Sequence, residues 1–278
     1  MRVHLVDGTY ELFRQHFGRM MRDDPRENAA TIGVLRSTLA LFDEGATHVG
    51  VASDHVIESF RNDLWPGYKS SAGMPPELLG QLSLVEEALE AMGVTVWAMV
   101  EHEADDALAS AARVAAADER TDRVLIATPD KDLAQCVRGA RVVQLNRRTN
   151  VMLDEAGVVK KFGVSPASIP DYLALVGDTA DGYPGLPGWG AKSTAAVLAR
   201  FGKLEAIPPD WRDWHVNAKN AASLAAALAR ERDRAWLFRD LATLRTEIPL
   251  FDSVEDLRWK KATDRFAMFA ARLDSARS

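Results

Sequence analysis

Cysteine and long apolar stretches are nearly absent from this sequence. Cys136 is the only cysteine among 278 residues, which excludes an intrachain disulfide and a cysteine-rich zinc site. The N-terminal residues lack the apolar segment of a signal peptide, and no apolar run reaches the ~18 residues that a bilayer crossing requires. We therefore expect a cytoplasmic protein with no membrane partner.

Basic residues are also fewer than acidic residues. The chain has 34 Lys and Arg residues against 40 Asp and Glu residues, which gives a formal net charge of −6. Taken alone, this balance disfavours a nucleic-acid partner, because neutralising phosphates requires Lys and Arg. A net charge misleads, however, when many of the acids belong to one metal site.

Short apolar runs alternate with helical patterns in the first half of the chain. Strands are predicted at 3–6, 48–52, 94–99, 124–127 and 141–145, and helices at 29–42, 78–92 and 104–117. This alternation predicts an α/β fold in which a parallel sheet is flanked by helices. After about Asn150 the patterns are helical, and no further strand is predicted.

Carboxylates lie just beyond four consecutive predicted strands and at the head of a Gly/Pro-rich turn. They are Asp7, Asp54, Glu103, Asp105, Asp106, Asp130, Asp132, Asp178 and Asp181. A helix cap or a turn explains each of them singly. As a group at the ligand-binding edge of a sheet they repel one another unless cations neutralise them. Oxygen ligands select Mg²⁺ or Mn²⁺, and a pair of such ions serves phosphodiester hydrolysis.

Assigning these acids to a metal site reverses the charge argument. Without nine negative charges, the formal net charge changes from −6 to +3. The rest of the surface can then be basic enough to bind a phosphate backbone.

A glycine-rich turn at 183–193 separates two predicted helices. Gly185 and Gly190 have the spacing of a nucleotide P-loop, but Lys192 comes one position late and no strand precedes the turn. A helix–hairpin–helix that binds a nucleic-acid backbone fits better, and a plain helical corner is the alternative.

Six short segments occur in a characteristic order and spacing. They are LVDG at Leu5–Gly8, FR at Phe60–Arg61, YK at Tyr68–Lys69, EADD at Glu103–Asp106, PDKDLAQ at Pro129–Gln135 and GDTADGYPGLPGWGAKSTA at Gly177–Ala195. Together they resemble the 5′-nuclease family, which includes flap endonucleases and the 5′→3′ exonuclease domain of bacterial DNA polymerase I. The resemblance implies a PIN-like α/β core followed by a helix–hairpin–helix of the H3TH type.

The resemblance also implies an activity and a site. The activity is two-metal hydrolysis of branched, nicked or 5′-ended DNA, by flap endonuclease and 5′→3′ exonuclease action, in replication and repair. One ion, Mg²⁺ or Mn²⁺, would lie among Asp7, Asp54, Glu103 and Asp105, with Asp106 close by, and the second among Asp130, Asp132, Asp178 and Asp181. Lys69 matches the active-site lysine, and Arg14 matches a basic residue near the scissile phosphate.

The resemblance extends to DNA contacts and domain limits. The expected contacts are Arg61, Tyr68, Gly185, Gly188, Gly190, Lys192 and Ser193, and the hairpin can also hold K⁺. We expect a catalytic core over 1–165, with an arch or gateway segment near 55–92, and a helical DNA-binding part over 166–278. The family's asparagine after Asp181 is Gly182 in this chain.

We expect the protein to act as a monomer. Three other functions stay open: a PIN-type ribonuclease, a non-catalytic structure-specific DNA-binding protein and, more distantly, a P-loop nucleotidase.

Overall fold

The computed structural model describes residues 1–20 and 28–275. In these ranges the chain forms six strands, which are β1 (Arg2–Asp7), β2 (His48–Asp54), β3 (Thr95–Met99), β4 (Arg123–Ala127), β5 (Val142–Asn146) and β6 (Val151–Leu153). It also forms eleven α-helices, which are α1 (Gly8–Met20), α2 (Ala29–Asp43), α3 (Phe60–Leu64), α4 (Pro76–Ala91), α5 (Ala104–Ala117), α6 (Glu155–Phe162), α7 (Ile169–Val176), α8 (Ala191–Phe201), α9 (Ala221–Arg230), α10 (Arg232–Ala242) and α11 (Asp264–Ser275).

The first of two compact units comprises Met1–Ser59, Ser71–Thr128 and Arg245–Ser278. Its strands are parallel, in the order β3-β2-β1-β4. Every residue of β2 is buried, as expected for a parallel strand covered on both faces. The register pairs Asp7 with Ala52 and Asp54 with Met99. The acids that end β1 and β2 therefore lie at one edge of the sheet.

The second unit comprises Phe60–Ser70 and Pro129–Leu244. It contains α3, α6 to α10 and the antiparallel pair β5–β6, and it has its own apolar core. Trp189 belongs to this core: its indole N–H donates to the Leu224 carbonyl at 3.2 Å, and its ring lies 5.8 Å from that of Trp214. Trp189 therefore covers the core.

The predicted α/β class is confirmed. The first unit has a parallel sheet with flanking helices, and α7 and α8 enclose the glycine-rich hairpin of the helical part. The prediction that no strand follows about Asn150 is wrong, because β6 pairs with β5. β6 has three residues, too few to show a period, and its pairing comes from a neighbouring strand. The predicted domain limits of 1–165 and 166–278 stay a prediction.

None of the helices in the described ranges combines the length and the apolar character that crossing a membrane requires.

Gly185 provides a stability test of the hairpin. Its φ is +70°, and a Cβ atom there would lie 2.4 Å from the Gly177 nitrogen and 2.5 Å from the Leu175 carbonyl oxygen. Because these neighbours are backbone atoms, we expect Gly185→Ala to lower the free energy of unfolding by about 1–3 kcal/mol or more. Urea denaturation measures the change.

Gly190→Ala is the matched control in the same hairpin. Gly190 has φ −117°, and nothing lies within 4 Å of its added Cβ. Its replacement should cost no more than about 1 kcal/mol, through a poorer helix cap. Equal urea midpoints for the two variants would contradict the steric account.

Candidate active site

The carboxylates of the first unit are held by neutral donors. Asp7 accepts hydrogen bonds from the backbone N–H of Tyr10 at 2.8 Å and from the Thr128 hydroxyl at 2.9 Å. Asp54 Oδ1 accepts from the backbone N–H of Ala104 at 2.7 Å. Ala104 is the first residue of α5, where the helix dipole favours negative charge. Both carboxylates are thus fixed at the edge where β1 and β2 end.

The acids of the EADD segment, at the start of α5, differ in burial and in hydrogen bonding. The Glu103 side chain accepts from the Ser59 hydroxyl at 2.7 Å, and Asp105 is only partly buried. Asp106 is 0% exposed; its Oδ2 accepts from the Glu103 N–H at 3.0 Å and its Oδ1 from the Arg245 N–H at 2.8 Å. Because backbone groups engage both its oxygens, Asp106 orients the start of α5. This arrangement disfavours direct metal ligation by Asp106, which stays a prediction.

Arg14 lies on α1, two turns after Asp7. Its guanidinium donates to the Glu11 carboxylate at 2.5 Å and to the Ser37 hydroxyl at 3.4 Å. Glu11 is buried and Arg14 is partly exposed. The pair therefore fixes a cation on the helix that begins where β1 ends.

The second unit brings three of its predicted ligands together. One carboxylate oxygen from each of Asp132, Asp178 and Asp181 lies within 4.8 Å of the others. Asp130 is linked to this group because its Oδ1 accepts from the Asp132 N–H at 3.0 Å. Asp178 Oδ1 likewise accepts from the Ala180 N–H at 2.9 Å. Such Asx turns place each carboxylate over its own loop.

Asp132 carries the clearest electrostatic signature of the cluster. It is 4% exposed, and its Oδ1 has no hydrogen-bond partner in the described part of the chain. Burial raises the pKa of Asp132 well above its usual value, and the neighbouring carboxylates add to the increase. A buried carboxylate oxygen without a partner, in an all-oxygen cluster, fits a hard divalent cation.

Two lysines offset part of this negative charge. Lys131 Nζ lies 2.8 Å from Asp178 Oδ1, and Lys69 Nζ lies 3.5 Å from Asp181 Oδ1. Burial lowers the pKa of Lys131, but the hydrogen bond to Asp178 and the surrounding carboxylates outweigh burial, so that this pKa lies above its usual value. Lys131 is a site residue that the sequence analysis missed, although its place between Asp130 and Asp132 was a signal.

The backbone of the Tyr68–Lys69 segment fixes Lys69 beside Asp181. The Lys69 N–H donates to the Asp181 carbonyl at 3.0 Å, and the Trp65 indole donates to the Gly182 carbonyl at 3.1 Å. A Cβ at residue 182 would lie 2.0 Å from the Gly67 carbonyl oxygen. This close approach leaves no space for a side chain at residue 182.

The predicted DNA contacts divide by exposure. Gly188, Gly190 and Lys192 are exposed and Ser193 is partly exposed, and α8 begins after Gly190 without a side-chain cap. The first N–H groups of such a helix have no partner within the helix and can bind a phosphate. These four contacts stay predictions, as does K⁺ at the hairpin.

The other three predicted contacts are buried. Arg61 is 1% exposed, and its guanidinium donates to the carbonyls of Leu241 at 2.8 Å and Thr243 at 3.4 Å. Tyr68 and Gly185 are also buried. Arg61 thus ties α3 to the end of α10, and burial disfavours the DNA contacts expected of all three residues. These three DNA contacts stay predictions.

Comparisons with known proteins show the family of the chain. Residues 2–163 match the model of the 5′-3′ exonuclease N-terminal resolvase-like domain, and residues 164–265 match that of the 5′-3′ exonuclease C-terminal SAM fold. The chain therefore belongs to the 5′-3′ exonuclease family. DNA polymerase I of Pseudomonas aeruginosa is 32% identical over 265 residues, which cover 91% of this chain and 28% of that protein. The chain thus spans less than a third of this relative's length.

Two solved structures share the fold at low identity. The flap endonuclease of bacteriophage T5, in a pseudo-enzyme-product complex with DNA and metal ions, has a TM-score of 0.71 at 17% identity and covers 99% of both chains. Human GEN1 in complex with Holliday junction DNA has a TM-score of 0.61 at 14% identity, covering 98% of this chain and 66% of that one. At these identities the likeness shows the fold.

Asp132→Asn tests the charge of the cluster. Because the pKa of Asp132 is raised in the folded protein, its ionised form destabilises the fold at neutral pH, and lowering the pH through that raised pKa relieves the cost. In EDTA at neutral pH we expect the variant to gain about 1 kcal/mol, a rise in Tm of about 2–4 °C. The gain should shrink as the pH falls.

Thermal unfolding with and without Mg²⁺ measures both effects. Mg²⁺ should raise the Tm of the wild type more than that of Asp132→Asn, because the variant has lost a ligand. Asp233→Asn, which changes an exposed acid of α10, should behave as wild type. A wild type that is more stable than Asp132→Asn in EDTA would overturn this account.

Proposed function

We propose that this chain is a metal-dependent 5′ nuclease that hydrolyses branched, nicked or 5′-ended DNA. The observation that carries the proposal is the buried oxygen cluster of Asp132, Asp178 and Asp181, with the unpartnered Asp132 Oδ1. A protein that only binds DNA gains nothing from such repulsion. Membership in the 5′-3′ exonuclease family supports the same reading.

The two groups of acids would hold one divalent ion each. Asp7, Asp54, Glu103 and Asp105 form the first group, and Asp130, Asp132, Asp178 and Asp181 form the second. When bound, Mg²⁺ or Mn²⁺ ions lower the pKa of water and stabilise the charge of the reacting phosphate and leaving oxygen.

Lys69 and Arg14 have separate proposed roles. Lys69 is held 3.5 Å from Asp181 Oδ1, where its ammonium can also stabilise negative charge on a phosphate. Arg14, fixed by Glu11 and Ser37, can bind a neighbouring phosphate and orient it. Both are proposed to act on substrate rather than on water.

The hairpin would hold the duplex. The exposed Gly188 and Gly190 allow a phosphate backbone to approach, and the uncapped start of α8 offers N–H donors beside Lys192. These contacts carry no base information, which suits a nuclease that recognises DNA structure. Cytoplasmic location, supported by the lone Cys136, and a monomeric state complete the proposal.

A cleavage assay tests the proposal. Purified protein is incubated with a 5′-labelled DNA flap, a nicked duplex and a matching RNA flap, in Mg²⁺, Mn²⁺ or EDTA. We expect short 5′ fragments from DNA in either metal and none in EDTA. Cleavage of RNA alone would favour the PIN-type ribonuclease, and binding without products would favour the non-catalytic protein.

Asp130→Asn tests the ligand assignment. The side chain of Asp130 is exposed, so the substitution should preserve folding, whereas the loss of a ligand charge should lower the single-turnover rate constant by at least about 10²-fold. Single-turnover cleavage of the flap measures the change, with Asp213→Asn, at another exposed acid of the second unit, as the control. Cleavage at the wild-type rate would refute the role of Asp130.

A further inference from the structure

A buried acid outside the predicted ligand set contacts both neighbours of Asp54. Glu86 lies on α4 and is 5% exposed. Its Oε1 accepts from the Ser53 hydroxyl at 2.5 Å, and its Oε2 lies 2.7 Å from His55 Nδ1. One carboxylate therefore binds the residue before Asp54 and the residue after it.

This arrangement restrains Asp54 from both sides. The Asp54 N–H donates to the Thr9 hydroxyl at 2.8 Å, and its Oδ1 accepts from Ala104 at 2.7 Å. Ser53 is also buried, so the Ser53–Glu86 bond forms away from water, where a charge-assisted hydrogen bond is strong. The side chains of both residues that flank Asp54 are thus bonded to one carboxylate of α4.

Burial of a carboxylate costs free energy unless hydrogen bonds or an opposite charge offset the lost hydration. Glu86 lies on the apolar face of α4, between the buried residues Leu82 and Leu89, where an aliphatic side chain would pack without that cost. In the sequence, Glu86 has helical spacing from the apolar residues of this face. The proposed reaction assigns Glu86 no role.

We propose that Glu86 is a positioning residue, which clamps Ser53 and His55 and so sets the orientation in which Asp54 binds a divalent cation. The inference rests on the proposed function, because that function makes Asp54 a metal ligand. Partners that orient metal ligands commonly contribute about 10–100-fold to metal affinity. Glu86 acts here through the side chains of the residues on either side of the ligand.

Metal binding, rather than cleavage, provides the decisive measurement. Isothermal titration with Mn²⁺ alone is performed on the full chain at a temperature well below the Tm of each variant. Asp54→Asn identifies the binding event that depends on the first group of acids, and Asp132→Asn identifies the event of the second group. We expect Glu86→Ala to weaken the first event by about 10-fold or more and to leave the second unchanged.

Gln81→Ala is the matched control on the same helix. Gln81 is buried, and its Oε1 accepts from the Thr31 N–H at 3.1 Å and the Thr31 hydroxyl at 3.0 Å. Its amide nitrogen also donates to the Glu77 carbonyl at 3.1 Å. Gln81→Ala therefore loses three hydrogen bonds, one more than Glu86→Ala, without changing a contact of Ser53 or His55. It should lower the Tm as Glu86→Ala does, yet bind Mn²⁺ as wild type does.

His55→Ala removes the contact between His55 and Glu86 alone. This second variant keeps the test decisive if Glu86→Ala does not fold. The His55 ring is 44% exposed, so the His55→Ala protein should remain folded, with a smaller loss of Mn²⁺ affinity in the first event. Unchanged affinity in both clamp variants, or an equal loss in Gln81→Ala, would overturn the positioning role. If Asp54→Asn itself binds Mn²⁺ as wild type does, the proposed metal role of Asp54 fails, and this inference fails with it.

Discussion

Repulsion between close carboxylates is the constraint that organises the second unit's site. Two unit charges at 4.8 Å, the span of the Asp132–Asp178–Asp181 cluster, repel by about 3–4 kcal/mol at an effective dielectric of 20. Lys131 and Lys69 offset two of the four charges that Asp130 and this cluster carry. The remaining two negative charges equal the charge of one divalent cation, so ion binding completes the neutralisation that the lysines begin.

In the first unit, neutral donors hold the acids. Asp7 and Asp54 accept hydrogen bonds from N–H and hydroxyl donors, which hold a carboxylate without cancelling its charge. These donors hold the position of each carboxylate. In the second group, Asp130 and Asp178 also accept from backbone N–H groups, and the ammonium groups of Lys131 and Lys69 lie beside Asp178 and Asp181. The second group therefore combines neutral donors with opposite charges.

Local pattern predicted the strands and the acids at their ends, because apolar runs and turn residues are local signals. It also predicted α5 from Ala104 to Ala117 with the correct bounds. It did not reveal that Arg61 is buried, that both Asp106 oxygens bind backbone N–H groups, or that Glu86 reaches Ser53. Among these contacts, the bond from the Glu103 N–H to Asp106 is local and belongs to the helix cap. The others join residues at least 33 positions apart. No spacing rule within a segment encodes such pairs.

The hydrogen bond between Arg245 and Asp106 has a consequence for synthesis on the ribosome. It joins residues 139 positions apart, and both belong to the first unit, whose chain is interrupted by Pro129–Leu244. At about 5–20 residues per second, roughly 7–28 s separate the emergence of the two partners. During that interval the buried carboxylate of Asp106 lacks one of its donors. The first unit therefore completes its fold only after the second unit has been made.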